Sequence, residues 1–275
     1  MMGRGKALLI AAVVGASVLV PATTEAAPEW APAATAPIHP GVQTFSPSGQ
    51  CTANFIFANV RDVFIGQAAH CTTMGGPRDV NGCTTPSHPY GTKVTVGGAT
   101  RRGTMIYNSW NTMKAKGETD STICSFNDFA LVRLDRTDHK RVNPSLPYWG
   151  GPTGLTSNGA GLGALVYSYG RSGLRDGLEI LSPRTGISLG LGSELRNWVH
   201  LIEFITPGLP GDSGSAVLDA SGKALGILAT LGAGFNGVGD ISRELQYMWS
   251  KTNLDAIKLV PGTVAFNPSQ LPLEL

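Results

Sequence analysis

Three side chains with complementary chemistry sit in short, separate segments of this chain. An imidazole, His70, lies in Ala68-Ala69-His70-Cys71. A carboxylate, Asp128, lies in Asn127-Asp128-Phe129-Ala130-Leu131, and an alcohol, Ser213, in Gly211-Asp212-Ser213-Gly214. A serine hydroxyl is a weak nucleophile at neutral pH and needs a base within hydrogen-bond reach. Histidine can be that base because its pKa lies near the working pH. A carboxylate behind the imidazole would orient it and stabilise its charged form. The glycines around Asp212-Ser213 let the backbone turn sharply and approach a ligand closely. Such a turn would aim the N–H groups of Gly211 and Ser213 at one point, an oxyanion hole, and one such donor is typically worth about 10²–10³ in turnover. The chemistry these groups could perform together is acyl transfer through a covalent intermediate.

The competing residues have poorer settings. His70 follows an apolar strand signal, Val63 to Ile65, and a small-residue pair. His39, His88, His139 and His200 have no such context and read as structural histidines. Asp120, Asp135 and Asp138 are the acids nearest to Asp128, and aspartate is common at turns and strand starts.

The elements that must carry these groups read as short strands. The chain has 275 residues, of which 36 are glycine and 15% are charged, with a formal net charge of +2. That near-neutral balance gives no argument for a nucleic-acid partner. A glycine-rich, charge-poor chain of this length suits one large all-β unit with many tight turns. Strand signals fall at Phe55–Phe57, Val63–Ile65, Lys93–Val96, Phe129–Leu134, Ala164–Tyr167, Trp198–Ile202, Ser215–Leu218 and Ala224–Leu228. Pro144, Pro147, Gly150, Gly151, Pro152 and Gly154 mark a turn-rich crossing between two halves. Asp240 is placed to cap a helix carrying Ile241, Leu245, Met248 and Trp249 at helical spacing.

The N-terminus reads as an export signal over residues 1–27. Arg4 and Lys6 precede the apolar run Ala7 to Val20, and small residues follow around Ala26 and Ala27. The run is short for a spanning helix, which needs about 20 apolar residues. Residues 28–40, rich in Pro and Ala, read as a flexible leader or short pro-segment. Export permits disulfides. Cys51, Cys71, Cys83 and Cys124 allow three pairings, and their spacing does not choose among them. They form no C-x-x-C pair and the histidines are scattered, so no metal site is expected, and nothing requires an organic cofactor.

With His, Asp and Ser in that order on an exported chain, the sequence resembles the chymotrypsin/trypsin-like serine protease family, in its secreted bacterial, streptogrisin-like branch. Asp128 is preferred over its neighbours because Phe129-Ala130-Leu131 follows it as in the family motif. The likeness covers roughly residues 41 to 232. It implies two six-stranded antiparallel Greek-key barrels with a C-terminal α-helix, the first over about 41–143 and the second over about 155–260, within a protease domain 41–275. It implies that Cys51-Thr52-Ala53-Asn54-Phe55 and Ala68-Ala69-His70-Cys71 form a hairpin closed by a Cys51–Cys71 bridge, and hence a second bridge between Cys83 and Cys124. Arg171-Ser172-Gly173 matches the branch's internal arginine turn, which implies an Arg171–Asp212 ion pair holding the oxyanion loop. Departures are present. Ala229 stands where a serine often supports the catalytic acid. Thr230 and Leu231 replace a common Trp-Gly pair. Pro207 replaces the Asp that selects basic residues, and no His follows Ser213. The expected substrate-binding residues are therefore Pro207, Ala229, Thr230 and Leu231, with an apolar or small P1 residue preferred.

The expected activity is that of a secreted, extracellular serine-type endopeptidase. Its partners would be protein or peptide substrates, with room for a proteinaceous inhibitor, and a monomeric, membrane-free mature form is expected. The rival readings are a secreted esterase using the same triad and a catalytically weak or inactive binding protein on a protease scaffold. The order His, Asp, Ser argues against the α/β-hydrolase arrangement, in which serine comes first.

Overall fold

The computed structural model describes residues 29–76, 79–190, 195, 197–231 and 235–270. The first half contributes seven strands: Gln43–Ser46 (β1), Gly49–Thr52 (β2), Ile56–Ala58 (β3), Val63–Ala68 (β4), Lys93–Val96 (β5), Gly103–Asn108 (β6) and Phe129–Arg133 (β7). The second half contributes Leu165–Tyr169 (β8), Pro183–Ser188 (β9), Val199–Phe204 (β10), Ala216–Leu218 (β11), Ala224–Leu231 (β12) and Asn236–Asp240 (β13), and Lys258–Leu259 (β14) follows near the C-terminus. Strands β8 to β13 close into a six-stranded antiparallel barrel in the order β10-β13-β12-β11-β8-β9. The first half is an eight-stranded sheet, β14-β3-β4-β7-β6-β5-β1-β2, rather than a sheet of six. One extra strand is β14, from the far end of the chain, which pairs antiparallel with β3; the other arises because the first half itself supplies seven strands, β2 pairing with β1 at the opposite edge.

Helices Ser109–Lys116 (α1) and Ser121–Phe126 (α2) fill the connection between β6 and β7, and Ile241–Lys251 (α3) follows β13. Asp240 caps α3 as its sequence context suggests, its Oδ1 accepting the Arg243 N–H at 2.9 Å. Ile241, Leu245 and Met248 are fully buried on one face. That face joins a core shared by the two halves, in which Phe55, Phe57 and Phe129 meet Trp149, Tyr167 and Ile227. The seam is thus apolar and continuous, which fixes how the two halves face each other.

Several strands carry little apolar patterning. In β13, which pairs with β12, the reason is close approach. A Cβ on Gly226 would lie 2.0 Å from the Gly239 carbonyl oxygen, so the backbones meet where side chains would stand.

The stretch expected to be a flexible leader is, from Glu29 onward, packed on the first half. The Ala31 N–H donates to the Val142 carbonyl at 2.9 Å and the Asn143 N–H to the Ile38 carbonyl at 2.9 Å. Ile38 is wholly buried. Prolines favour an extended backbone, and here its polar groups find partners in 141–143 instead of water. The export signal lies outside the described residues. Among the described residues no helix is long and apolar enough to cross a membrane.

Candidate active site

The pairing of β4 with β7 places His70 beside Asp128. Ala68 is opposite Phe129 and Gln67 opposite Ala130, so the residues just past one strand and just before the other share an end of the sheet. The Ala69 N–H donates to the Asp128 carbonyl at 2.8 Å. The carboxylate is then used on both oxygens: Oδ1 accepts the His70 backbone N–H at 2.8 Å and Oδ2 meets His70 Nδ1 at 2.6 Å. With Nδ1 as the donor, the neutral imidazole presents Nε2 as a proton acceptor. Burial alone would lower the His70 pKa, but the charge of Asp128 and the hydrogen bond to it outweigh burial, and the value rises above the usual 6.5. A quarter of the His70 side chain stays exposed while Asp128 is buried. Ser109 steadies the acid's segment, its hydroxyl donating to the Asn127 carbonyl at 2.8 Å and accepting the Phe129 N–H at 3.0 Å.

Ser213 comes from the second half and is seated against the first. Its carbonyl accepts the Thr52 N–H at 2.9 Å. Gly214, at φ +85°, passes so near Ala68 and Thr52 that a Cβ would lie 2.7 Å from backbone atoms of both. This contact demands glycine on steric and conformational grounds. The Gly214 N–H donates to the Leu228 carbonyl at 2.7 Å, tying the segment to β12. The bridge Cys51–Cys71 clamps β2 to the turn bearing His70, and Cys83–Cys124 closes the second pair, both as the resemblance implies. Cys51, Cys71 and His70 form the one His/Cys/Asp/Glu cluster dense enough for a metal among the described residues, but its two sulfurs are bonded to each other. The His70–Asp128 hydrogen bond is formed, whereas none joins His70 to Ser213 among the described residues. Such bonds often tighten only when a substrate is bound.

The turn before Ser213 has a defined shape. The Asp212 N–H donates to the Leu209 carbonyl at 2.8 Å across Pro210 and Gly211, and Gly211 has φ +97°. Proline second and a left-handed glycine third make a type II turn. The carbonyl of Pro210 accepts from the Ser172 hydroxyl at 2.5 Å. The carbonyl of Gly211 accepts from Thr52 Oγ1 at 2.8 Å and Gln50 Nε2 at 2.9 Å. With both carbonyls held, the Pro210–Gly211 peptide cannot flip freely. Neither the Gly211 nor the Ser213 N–H donates to any acceptor among the described residues.

Asp212 anchors this turn, but not through the expected partner. Arg171 pairs with the exposed Glu179 and points away. Arg175 instead grips Asp212 with both terminal nitrogens, at 2.5 and 2.6 Å, and Arg184 adds a contact at 3.3 Å. Asp212 also accepts the backbone N–H groups of Ser172 and Leu209, each at 2.9 Å. The reason lies in the local turn. Ser172 caps a short 3₁₀ segment, Gly173–Arg175, which swings Arg175 inward until its side chain is 3% exposed. Burial would raise the Asp212 pKa, but the bond from Arg175 and the two guanidinium charges bring it below the usual range. Arg184 is itself stripped of water and its pKa falls to about 10 despite the attraction of Asp212. Three arginines lie within reach along the sequence, and the choice among them depends on this turn.

The expected substrate-binding residues gather beside the same loop. Ala229 lies at an irregularity in β12 between Leu228 and Thr230. Asn236 links the walls, its Oδ1 accepting the Gly208 N–H at 3.3 Å and its Nδ2 donating to the Thr230 carbonyl at 3.5 Å. Pro207 is exposed at the rim. Leu231 ends β12, and its side chain lies outside the described residues.

No known family profile matches the chain, and no curated protein matches it in sequence. Solved structures do match. Thermobifida fusca Protease A is 17% identical, with 82% of this chain and 99% of that one covered and a TM-score of 0.52. The chymotrypsin of Cellulomonas bogoriensis is 18% identical over 81% and 98% of the two chains, at a TM-score of 0.49. A glutamic acid specific serine protease, whose histidine triad serves substrate binding, is 16% identical over 81% and 100%, at 0.45. At such identities the likeness is one of architecture. The mostly β chain, with its closed six-stranded barrel, its larger first sheet and its C-terminal helix, has the chymotrypsin-like protease fold.

Proposed function

We propose that this protein is a secreted serine endopeptidase of the bacterial, streptogrisin-like kind, with Ser213 as nucleophile, His70 as general base and acid, and Asp128 as the orienting acid. One observation carries the reading. Asp128 holds both the ring and the backbone of His70, while two unengaged N–H groups, Gly211 and Ser213, flank the hydroxyl on the facing loop.

In the proposed reaction Ser213 Oγ attacks a peptide carbonyl carbon and its proton passes to His70 Nε2. The Gly211 and Ser213 N–H groups receive the charge that develops on the carbonyl oxygen. The C–N bond then breaks, and His70 returns the proton to the leaving amine. Water attacks the acyl-enzyme, giving one proton to His70. The serine–acyl bond breaks, releasing the carboxylate product, and Ser213 recovers its proton. An apolar or small P1 residue fits the absence of a charged group at Pro207, Ala229 and Thr230. Two disulfides suit an oxidising, extracellular setting.

The test compares the exported chain with Ser213→Ala for peptide-library cleavage and for covalent labelling by a fluorophosphonate. Cleavage and labelling that both vanish in the variant support the proposal. A folded wild-type chain that neither cleaves nor labels would favour the binding-protein reading, and ester hydrolysis without peptide cleavage would favour the esterase.

A further inference from the structure

Against the backbone N–H of Asp128 lies a carboxyl group that the reaction does not use. Glu244, in the first turn of α3, is wholly buried. Its Oε1 accepts the Asp128 backbone N–H at 2.9 Å. That N–H precedes β7 and has no ladder partner, so Glu244 supplies the acceptor it would otherwise lack. We propose that Glu244 is a positioning residue for Asp128, bonding its N–H so that both carboxylate oxygens stay aimed at the ring and backbone of His70.

The surroundings say in which form Glu244 does this. The charged groups facing it are Asp128 from the approach to β7 and Asp240 at the head of its own helix. Tyr107 of β6 and Tyr247 of α3 are the neighbouring phenols. Both acids already have partners: Asp128 has His70, and Asp240 has His200 Nε2 at 2.9 Å. No cation pairs with Glu244 among the described residues, and its Oε2, like the Tyr107 hydroxyl, is buried without a hydrogen-bond partner. Burial, with the two carboxylates adding to it, drives the Glu244 pKa well above the usual range, against the bond from the Asp128 N–H. These surroundings, with no cation at hand among the described residues, favour the neutral acid as the working form of Glu244. It holds Asp128 by a hydrogen bond and adds no second negative charge behind His70. Chain ends of α3 and β7 far apart in sequence meet here, so the C-terminal helix becomes part of the site's support.

This inference rests on the proposed protease reading only where activity is read, so the test includes titration of the His70 imidazole by NMR. Glu244→Gln keeps a neutral acceptor, whereas Glu244→Leu removes it. The Gln variant should leave the His70 pKa within about 0.3 of wild type and kcat within about threefold. The Leu variant should move the His70 pKa and lower kcat about 10- to 100-fold with KM unchanged, as expected for an orphaned buried N–H that loosens the orienting acid. Because the folded protein holds a proton on Glu244 that the unfolded chain releases, the wild type should also lose melting temperature relative to Glu244→Gln as pH rises from about 4 toward neutrality. A Gln variant whose His70 pKa falls by about 0.5 or more would show a charge effect and overturn the proposal, and this holds even if the Leu variant does not fold. A folded Leu variant with an unchanged His70 titration would overturn it as well. A wild type that shows the expected titrations but resists fluorophosphonate labelling would defeat the protease reading and leave the positioning role standing.

Discussion

Replacing Arg175 with alanine should disable the turn proposed to form the oxyanion hole. The guanidinium makes two short bonds to a carboxylate that is wholly buried. Breaking a buried pair by removing one partner costs about 3–5 kcal/mol, because the remaining charge is left without compensation. Arg184, at 3.3 Å, and the N–H groups of Ser172 and Leu209 still face Asp212, which places the expected loss near the lower end, about 3 kcal/mol. For a chain of this size that is a fall in melting temperature of about 6–12 °C. The functional loss should be larger. Asp212 bonds the first residue of the type II turn, and that turn sets the direction of the Gly211 N–H. Loss of one oxyanion donor typically lowers turnover about 10²–10³-fold. The assay is the second-order rate of fluorophosphonate labelling, run beside a thermal melt. Arg171→Ala is the control: its partner Glu179 is mostly exposed, and such pairs contribute about 0–1 kcal/mol. If Arg175→Ala labels within about threefold of wild type while Arg171→Ala does not, the anchoring argument is wrong.

Two further outcomes are expected. Ser172→Ala removes the hydroxyl that holds the Pro210 carbonyl, and should lower kcat about tenfold with little change in KM; an unchanged kcat would mean that the bonds of Gln50 and Thr52 to the Gly211 carbonyl suffice to hold the turn. Activity should rise with pH through the raised His70 pKa, with its acid limb above 6.5, and Asp128→Asn should move that limb below 6.5 because burial then acts unopposed; a limb that stays in place would sink the assignment of His70 as base. The sign for stability is opposite: the His70–Asp128 attraction is complete below the unfolded histidine value and fades as pH rises through the folded one.

Much of the site was legible in the residues themselves. His70, Asp128 and Ser213 stand in motifs whose neighbours reveal their settings: an apolar strand before the imidazole, another after the acid, glycines around the alcohol. Asp240 ahead of Ile241, Leu245 and Met248 disclosed the last helix because capping and helical periodicity are local properties. Short strands and frequent turns pointed to an all-β unit and the resemblance implied the closing of the second half into a barrel, yet β9 and β13 escaped notice. Their glycines face close neighbours from other strands and from the last helix, the Glu203 carbonyl beside Gly186 and the Thr230 and Glu244 side chains beside Gly237 and Gly239, and such contacts exist only once the chain is folded.

Tertiary structure decided the rest. The partner of a buried aspartate depends on which guanidinium the chain turns inward, and a three-residue 3₁₀ segment gave that place to Arg175 rather than Arg171. The Pro-rich stretch before the first strand looks unstructured alone and became ordered because residues 141–143 offer its backbone partners. Glu244 reads as one more polar helix residue until the fold carries it against the Asp128 N–H. Composition and spacing report what a residue can do with its near neighbours. Desolvation, and the charges that arrive from distant segments, determine what it does in the folded protein.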